Sequence, residues 1–168
     1  DLDGNILTIN RATQEAFGYS REEFLKLRIA DVIASEDLEL ANEMTQKKIS
    51  GEAEKTSYEL NCVGKDKQKI VLEINSSIIY QDGKPMAVQG IARNITERKT
   101  MQNALQENKE YLQMLFDNAN DLIYVFDLNG KFISHNIAVE KTFGYSKEEL
   151  ENKHLFELVA PDSLEQVK

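Results

Sequence analysis

The chain contains one stretch of sequence twice. Residues 1–24 read DLDGNILTINRATQEAFGYSREEF and residues 127–150 read DLNGKFISHNIAVEKTFGYSKEEL. At this offset of 126 residues, 11 of the 24 positions are identical, among them Gly4/Gly130, Asn10/Asn136 and the tetrapeptides Phe17–Ser20 and Phe143–Ser146. An offset this long exceeds the period of a solenoid, so the repeat means a tandem array of whole domains. Yet 168 residues hold little more than one such period. The first copy is expected to be cut at its front, the second at its back, and the chain to be a piece of a longer protein.

Each copy opens on a tight turn, Asp3-Gly4 or Asn129-Gly130, dipeptides that supply the positive φ angles of a hairpin. In the second copy the strand before the turn is visible as Leu122–Phe126. A short strand follows (Ile6–Ile9, or Phe132–His135), then Asn10 or Asn136, whose side chain suits a helix N-cap. That helix is expected to end at Gly18 or Gly144 in a left-handed C-cap. Ser20 with Glu23, and Ser146 with Glu149, have the spacing of capping boxes. Residues 36–50 read as a helix, with Leu38, Leu40, Ala41, Met44 and Ile49 near one face. Three strands are expected next, Thr56–Val63, Ile70–Tyr80 and Met86–Ile95. Strands, then short helices, then strands imply an α+β domain, an antiparallel sheet with helices on one face.

Composition excludes several classes. The formal net charge is −9, from 20 Lys and Arg against 29 Asp and Glu. A surplus of acid argues against binding nucleic acid or an anionic membrane, which needs clustered basic residues. The single cysteine, Cys62, rules out an internal disulfide and a cysteine-rich zinc site. It fits a reducing, cytoplasmic setting. No apolar run reaches the roughly 18 residues needed to cross a bilayer.

The ordered motifs resemble a PAS domain: D-x-[DN]-G, the asparagine, F-G-Y-S-x-E-E, and the closing run Asn94-Ile-Thr-Glu-Arg-Lys99. The resemblance covers almost the whole chain. It implies a five-stranded antiparallel sheet, a cavity under short helices, and a role in sensing or signal relay. Residues 1–96 would form a module lacking its first strand, 97–119 a signalling helix, and 120–168 the beginning of a second module. Asn94 stands where the family usually has Asp, so it can still hydrogen-bond but brings no charge. By this resemblance Asn94 ties the last strand to the following helix, and Thr96 as N-cap with Glu97 at the positive helix end completes the expected coupling set.

On that helix Met101, Leu105, Asn108, Leu112, Leu115 and Ala119 are spaced alternately four and three apart. This is a coiled-coil seam with a polar residue in its middle, which in a parallel dimer fixes register. The competing reading is that the stripe packs on its own domain. The truncated repeat adds a further expectation: a homodimer in which strand Leu122–Phe126 of one chain repairs the sheet of the other.

The sites are read with two alternatives open. By the ordinary alternation of a one-sided sheet, Ile70, Leu72, Ile74 and Ile78 face the core, and Glu59, Asn61, Val71, Glu73 and Asn75 face water. By the spacing along the family pattern, Val71, Glu73 and Asn75, with Val88, Gly90 and Ala92, face the cavity instead. The second alternative makes Asn61, Val71, Glu73, Asn75, Val88 and Ala92 ligand-pocket candidates and suits a polar or cationic metabolite. His135 and His154 have no partner at metal-ligand spacing and read as structural or surface residues. Haem-binding relatives carry a histidine on the long helix, which is missing between 36 and 51. Flavin-binding relatives carry Asn-Cys-Arg on a helix, whereas Asn61-Cys62 lies in a strand before a valine. Haem and a covalent flavin adduct are therefore not expected. No nucleophile, base and oxyanion donor pair up, so no catalytic or metal residue is assigned. The expected function is a sensory relay in a signal-transduction protein, with a two-component histidine kinase as its output. The alternatives are a ligand-free dimerisation module and the PAS region of a diguanylate cyclase.

Overall fold

The computed structural model describes residues 1–159. They form two compact units, Asp1–Gln102 and a second that begins at Asn103. In the first, Asn10 opens helix α1 (Arg11–Phe17) by accepting a hydrogen bond from the Thr13 amide at 2.9 Å. Gly18 closes it at φ 76°, a left-handed conformation that a side chain disfavours. Helix α2 (Arg21–Phe24) starts on the full capping box of Ser20 and Glu23. Short 3₁₀ turns at Ile29–Asp31 and Ser35–Asp37 lead into α3 (Leu38–Ile49).

Strands β1 (Lys55–Val63), β2 (Lys69–Gln81) and β3 (Lys84–Asn94) make an antiparallel sheet in the order β1-β2-β3. Asp82 and Gly83, at φ 51° and 76°, turn β2 into β3, as a two-residue hairpin with both central residues left-handed requires. Phe17, Phe24, Val32, Ile33, Leu60, Cys62, Ile70 and Leu72 form the core, so the helices cover one face of the sheet. The F-G-Y-S motif works as a corner. Phe17 is buried and meets the edge of Phe24 at 5.1 Å, Gly18 ends α1, Tyr19 packs on Phe24 at 5.8 Å, and Ser20 starts α2.

Helix α4 (Thr96–Asn118) connects to the second unit. There β4 (Tyr124–Phe126) pairs antiparallel with β5 (Phe132–His135). Helices α5 (Ile137–Phe143), α6 (Lys147–Glu151) and α7 (Leu155–Leu158) follow. Phe132, Val139 and Leu150 form the small core of this unit. The repeat is visible in detail: Gly144 closes α5 at φ 73°, and Ser146 with Glu149 caps α6. Phe143 is 39% exposed, against 5% for Phe17. Its copy of the motif has no three-stranded sheet to pack against among the described residues.

The α+β class agrees with the sequence reading, and the strand arrangement corrects it. In place of one five-stranded sheet, the described residues form a three-stranded and a two-stranded sheet. Ile6–Ile9 is not a strand. It has no ladder beside it, and only an isolated bridge, Asn5 to Arg28, marks the region.

Candidate functional site

The sheet register decides which side chains share a face. Leu60 pairs with Leu72 and Cys62 with Ile70, and all four are in the core. Because side chains alternate, Glu59, Asn61, Val71, Glu73 and Asn75 lie on the opposite face. The ordinary alternation therefore describes β1 and β2, and four of the pocket candidates, Asn61, Val71, Glu73 and Asn75, are not on the core side. Asn61 instead fastens the approach to α3. Its amide and its side-chain nitrogen both donate to one Asp37 carboxylate oxygen, at 2.6 and 2.9 Å. Glu73, with Glu59, faces the first turn of α4. Lys99 reaches Glu59 at 2.6 Å, and Arg98 lies 3.8 Å from Glu73 and 4.0 Å from Glu59. Asn75 is exposed.

The other two candidates do lie on the core side. Val88 pairs with Ile78 and Ala92 with Ile74, and between them Gly90 pairs with Ser76. Ser76 in turn pairs with Thr56. Thr56, Ser76 and Gly90 thus form a row across the three strands. Over the first two sits Lys48 from the last turn of α3, 1% exposed. Its ammonium donates to Thr56 Oγ1 at 2.9 Å and to Ser76 Oγ at 2.6 Å, and the two hydroxyls are 3.1 Å apart. The Tyr58 ring lies 5.7 Å from the same nitrogen, within cation–π range. Among the described residues no carboxylate pairs with Lys48. Burial pushes its pKa down from the ordinary lysine value. The sequence reading missed this lysine, although a signal was present: Lys48 lies seven residues after Ala41 and four after Met44, on the apolar stripe itself.

Cys62 is 2% exposed, and burial, helped by the Asp37 charge, pushes its thiol up to about 12. That describes an inert packing group rather than a nucleophile. His135 is buried edge-on against Phe132, with neither ring nitrogen hydrogen-bonded. His154 accepts from the Phe156 amide at the start of α7. No cluster of three potential metal ligands occurs among the described residues. No described helix is long and apolar enough to cross a membrane.

Helix α4 is fastened at both ends. At its start, Asn94 Oδ1 accepts from the Thr96 amide at 3.0 Å and the Thr96 hydroxyl at 2.6 Å. That hydroxyl also accepts from the Val71 amide at 2.9 Å. Thr96 is therefore the first helical residue rather than the cap, and Asn94 supplies the capping oxygen without a charge. Glu97 is exposed in the first turn, where its charge suits the helix dipole, while Arg98 and Lys99 make the contacts to the sheet. At the far end, fully buried Asn136 donates to the carbonyls of Asp121 at 2.9 Å, Phe116 at 3.1 Å and Ala119 at 3.4 Å. Its side-chain oxygen accepts from the Ile123 amide at 3.1 Å. Asn136 makes no side-chain cap to α5, unlike Asn10 at the equivalent position. Between these ends the seam is open: Met101 is 63%, Leu105 72%, Leu112 57% and Leu115 49% exposed. Asn108 is exposed with them.

Comparison with known proteins agrees with this anatomy. The PAS domain profile matches residues 1–97, and a second profile, the PAS fold, matches residues 110–168. A methyl sulfide methyltransferase-associated sensor of Methanosarcina acetivorans is 32% identical over 111 residues, 66% of this chain and 11% of the relative. Sporulation kinase E of Bacillus subtilis is 32% identical over 69 residues, 41% of this chain and 9% of the kinase. The chain therefore spans about a tenth of the length of these relatives. Among solved structures, a PAS domain from Colwellia psychrerythraea superposes with a TM-score of 0.53 at 23% identity, covering 58% of this chain and 82% of that one. A sensory box histidine kinase/response regulator from Burkholderia thailandensis gives 0.53 at 16% identity, covering 67% and 86%. Profile, fold and the duplicated motif agree: this chain belongs to the PAS domain family.

Proposed function

We propose that this chain is a sensing and relay segment of a two-component histidine kinase, in which α4 carries a change in the first module to the second. The observation that carries this reading is the double fastening of α4. A helix clamped to a sheet at one end and to the next module at the other transmits a tilt or rotation, provided it has two arrangements for the signal to choose between. Asn94 and Thr96 form the input joint, supported by Arg98 and Lys99. Asn136 forms the output joint. The named sensor and sporulation kinase among the relatives support the class of output.

In this reading the exposed seam of Met101, Leu105, Asn108, Leu112 and Leu115 is closed by a second copy in parallel, with the Asn108 side chains facing each other. Exchange of strand Leu122–Phe126 between copies belongs to the same proposal, because β3 and β4 each have one edge without a strand beside it among the described residues.

The test is a fusion of this chain, in helical phase, to the catalytic core of a histidine kinase. Thr96→Val and Leu105→Asp are each expected to change autophosphorylation by several-fold. Autophosphorylation indifferent to both substitutions would refute the relay.

A further inference from the structure

The buried lysine has more hydrogen-bond donors than the protein satisfies. Its ammonium carries three N–H donors, and two are used by Thr56 and Ser76. Each of those hydroxyls brings one proton, and one of the two serves the Thr56–Ser76 bond. One N–H and one O–H remain, beside a full positive charge with no carboxylate partner among the described residues. A cation removed from water without a counter-charge is costly.

The row across the sheet shows where a counter-charge fits. Its third position, Gly90, has no side chain and is exposed. A Cβ there would meet nothing nearer than Ile74 Cγ2 and Ser76 Cβ, both at 4.0 Å. The neighbours along the core face are apolar: Ile74 with Ala92 on one side, Ile78 with Val88 on the other. Two spare donors and one positive charge next to an open apolar strip match two acceptor oxygens, one negative charge and a short hydrocarbon body.

We propose that Lys48, Thr56 and Ser76 form the recognition head for a small aliphatic carboxylate, whose body lies over Gly90 between Val88 and Ala92. This rests on the sensor reading and names its ligand class. It also replaces the polar or cationic ligand that the family spacing suggested. Glu73 pointed to a cationic ligand, but it faces away from the core, whereas Lys48 faces into it. Inorganic phosphate fits less well, since its additional charge and oxygens exceed the two donors on offer.

The experiment uses the full chain with hexanoate as probe and hexanamide and inorganic phosphate as comparisons, followed by amide chemical shifts and thermal unfolding. Hexanoate is expected to give saturable shifts at Lys48, Thr56, Ser76 and Gly90 and to raise Tm. Hexanamide, lacking the charge, is expected to bind at least about tenfold more weakly. Lys48→Met is expected to abolish the hexanoate response. If that variant does not fold, Ser76→Ala keeps the charge and is expected to weaken binding about tenfold. Equal binding of hexanoate and hexanamide, binding of phosphate in preference, or no hexanoate response at these residues overturns the proposal. Any of these results with the kinase fusion still responsive to Thr96→Val overturns the ligand class alone, and the relay stands.

Discussion

Asn10 and Asn136 occupy the same place in the repeat but hold different partners, so replacing each with alanine gives a direct internal comparison. Asn10 is exposed and caps α1 through the Thr13 amide and hydroxyl, both at 2.9 Å. Loss of such a cap costs about 1 kcal/mol. Asn136 is fully buried, and its two amide protons serve three carbonyls, Phe116 in the last turn of α4 and Ala119 and Asp121 just beyond it, while its oxygen serves Ile123. Counting two donated bonds and one accepted, at about 1 kcal/mol each, Asn136→Ala costs about 3 kcal/mol. That is a change of about a hundredfold in local opening. Hydrogen–deuterium exchange resolves the two effects within one chain. Asn136→Ala is expected to speed exchange across residues 116–126 by about that factor and leave β1–β3 unchanged, while Asn10→Ala speeds exchange only in α1, about fivefold. Equal effects for the two substitutions would refute the reasoning, because Asn136 would then be an ordinary cap and α4 would lack its output joint.

Three further outcomes are expected. The Glu23 carboxyl, held down to about 2 chiefly by Lys65 and also by the Ser20 amide, is ionised more readily in the folded chain than its ordinary 4.5. Its contribution is therefore present above pH 4.5 and lost as pH falls toward 2, so an acid titration of Glu23→Gln against the parent should converge across that window. For Lys48 the pH dependence runs in the same direction, at higher pH. Burial lowers its folded pKa, so the unfolded chain binds its proton more tightly, and stability from this group rises as pH climbs through the lowered value toward 10.5. Denaturant melts of Lys48→Met should lack that rise. Cys62, buried and with its thiol up near 12, should react with a thiol reagent only at the rate of opening, as followed by absorbance. Fast labelling in the native chain would contradict its burial.

Local chemistry carried much of the fold into the sequence. The two serine–glutamate boxes, the glycine C-caps and the Asp82-Gly83 turn each act within a few residues, and the structure has them where the spacing indicates. The strand faces also followed from alternation once Leu60, Cys62, Ile70 and Leu72 were taken as the buried set. What alternation cannot show is a partner distant in sequence. Glu73 became a pocket candidate through spacing along the family pattern, and nothing local shows that α4 brings Arg98 to within 3.8 Å of it. Lys48 drew no attention in the sequence, although it lies on the apolar stripe of α3. Only the register that sets Thr56 beside Ser76 shows why its ammonium can stay buried. Asn136 read as a cap because its copy Asn10 is one, and the difference lies in the α4 end that only the second copy meets.

The seam of α4 is the part of the account most directly open to measurement. In a parallel pair the Asn108 side chains face each other across the helices, close enough for a disulfide once both are cysteine. Air oxidation of Asn108→Cys, with Gln106→Cys off the seam as the comparison, measures this by non-reducing electrophoresis. The account predicts rapid cross-linking of Asn108→Cys into a covalent dimer and slow cross-linking of Gln106→Cys. Equal rates, or a chain that stays monomeric in both variants, would contradict it.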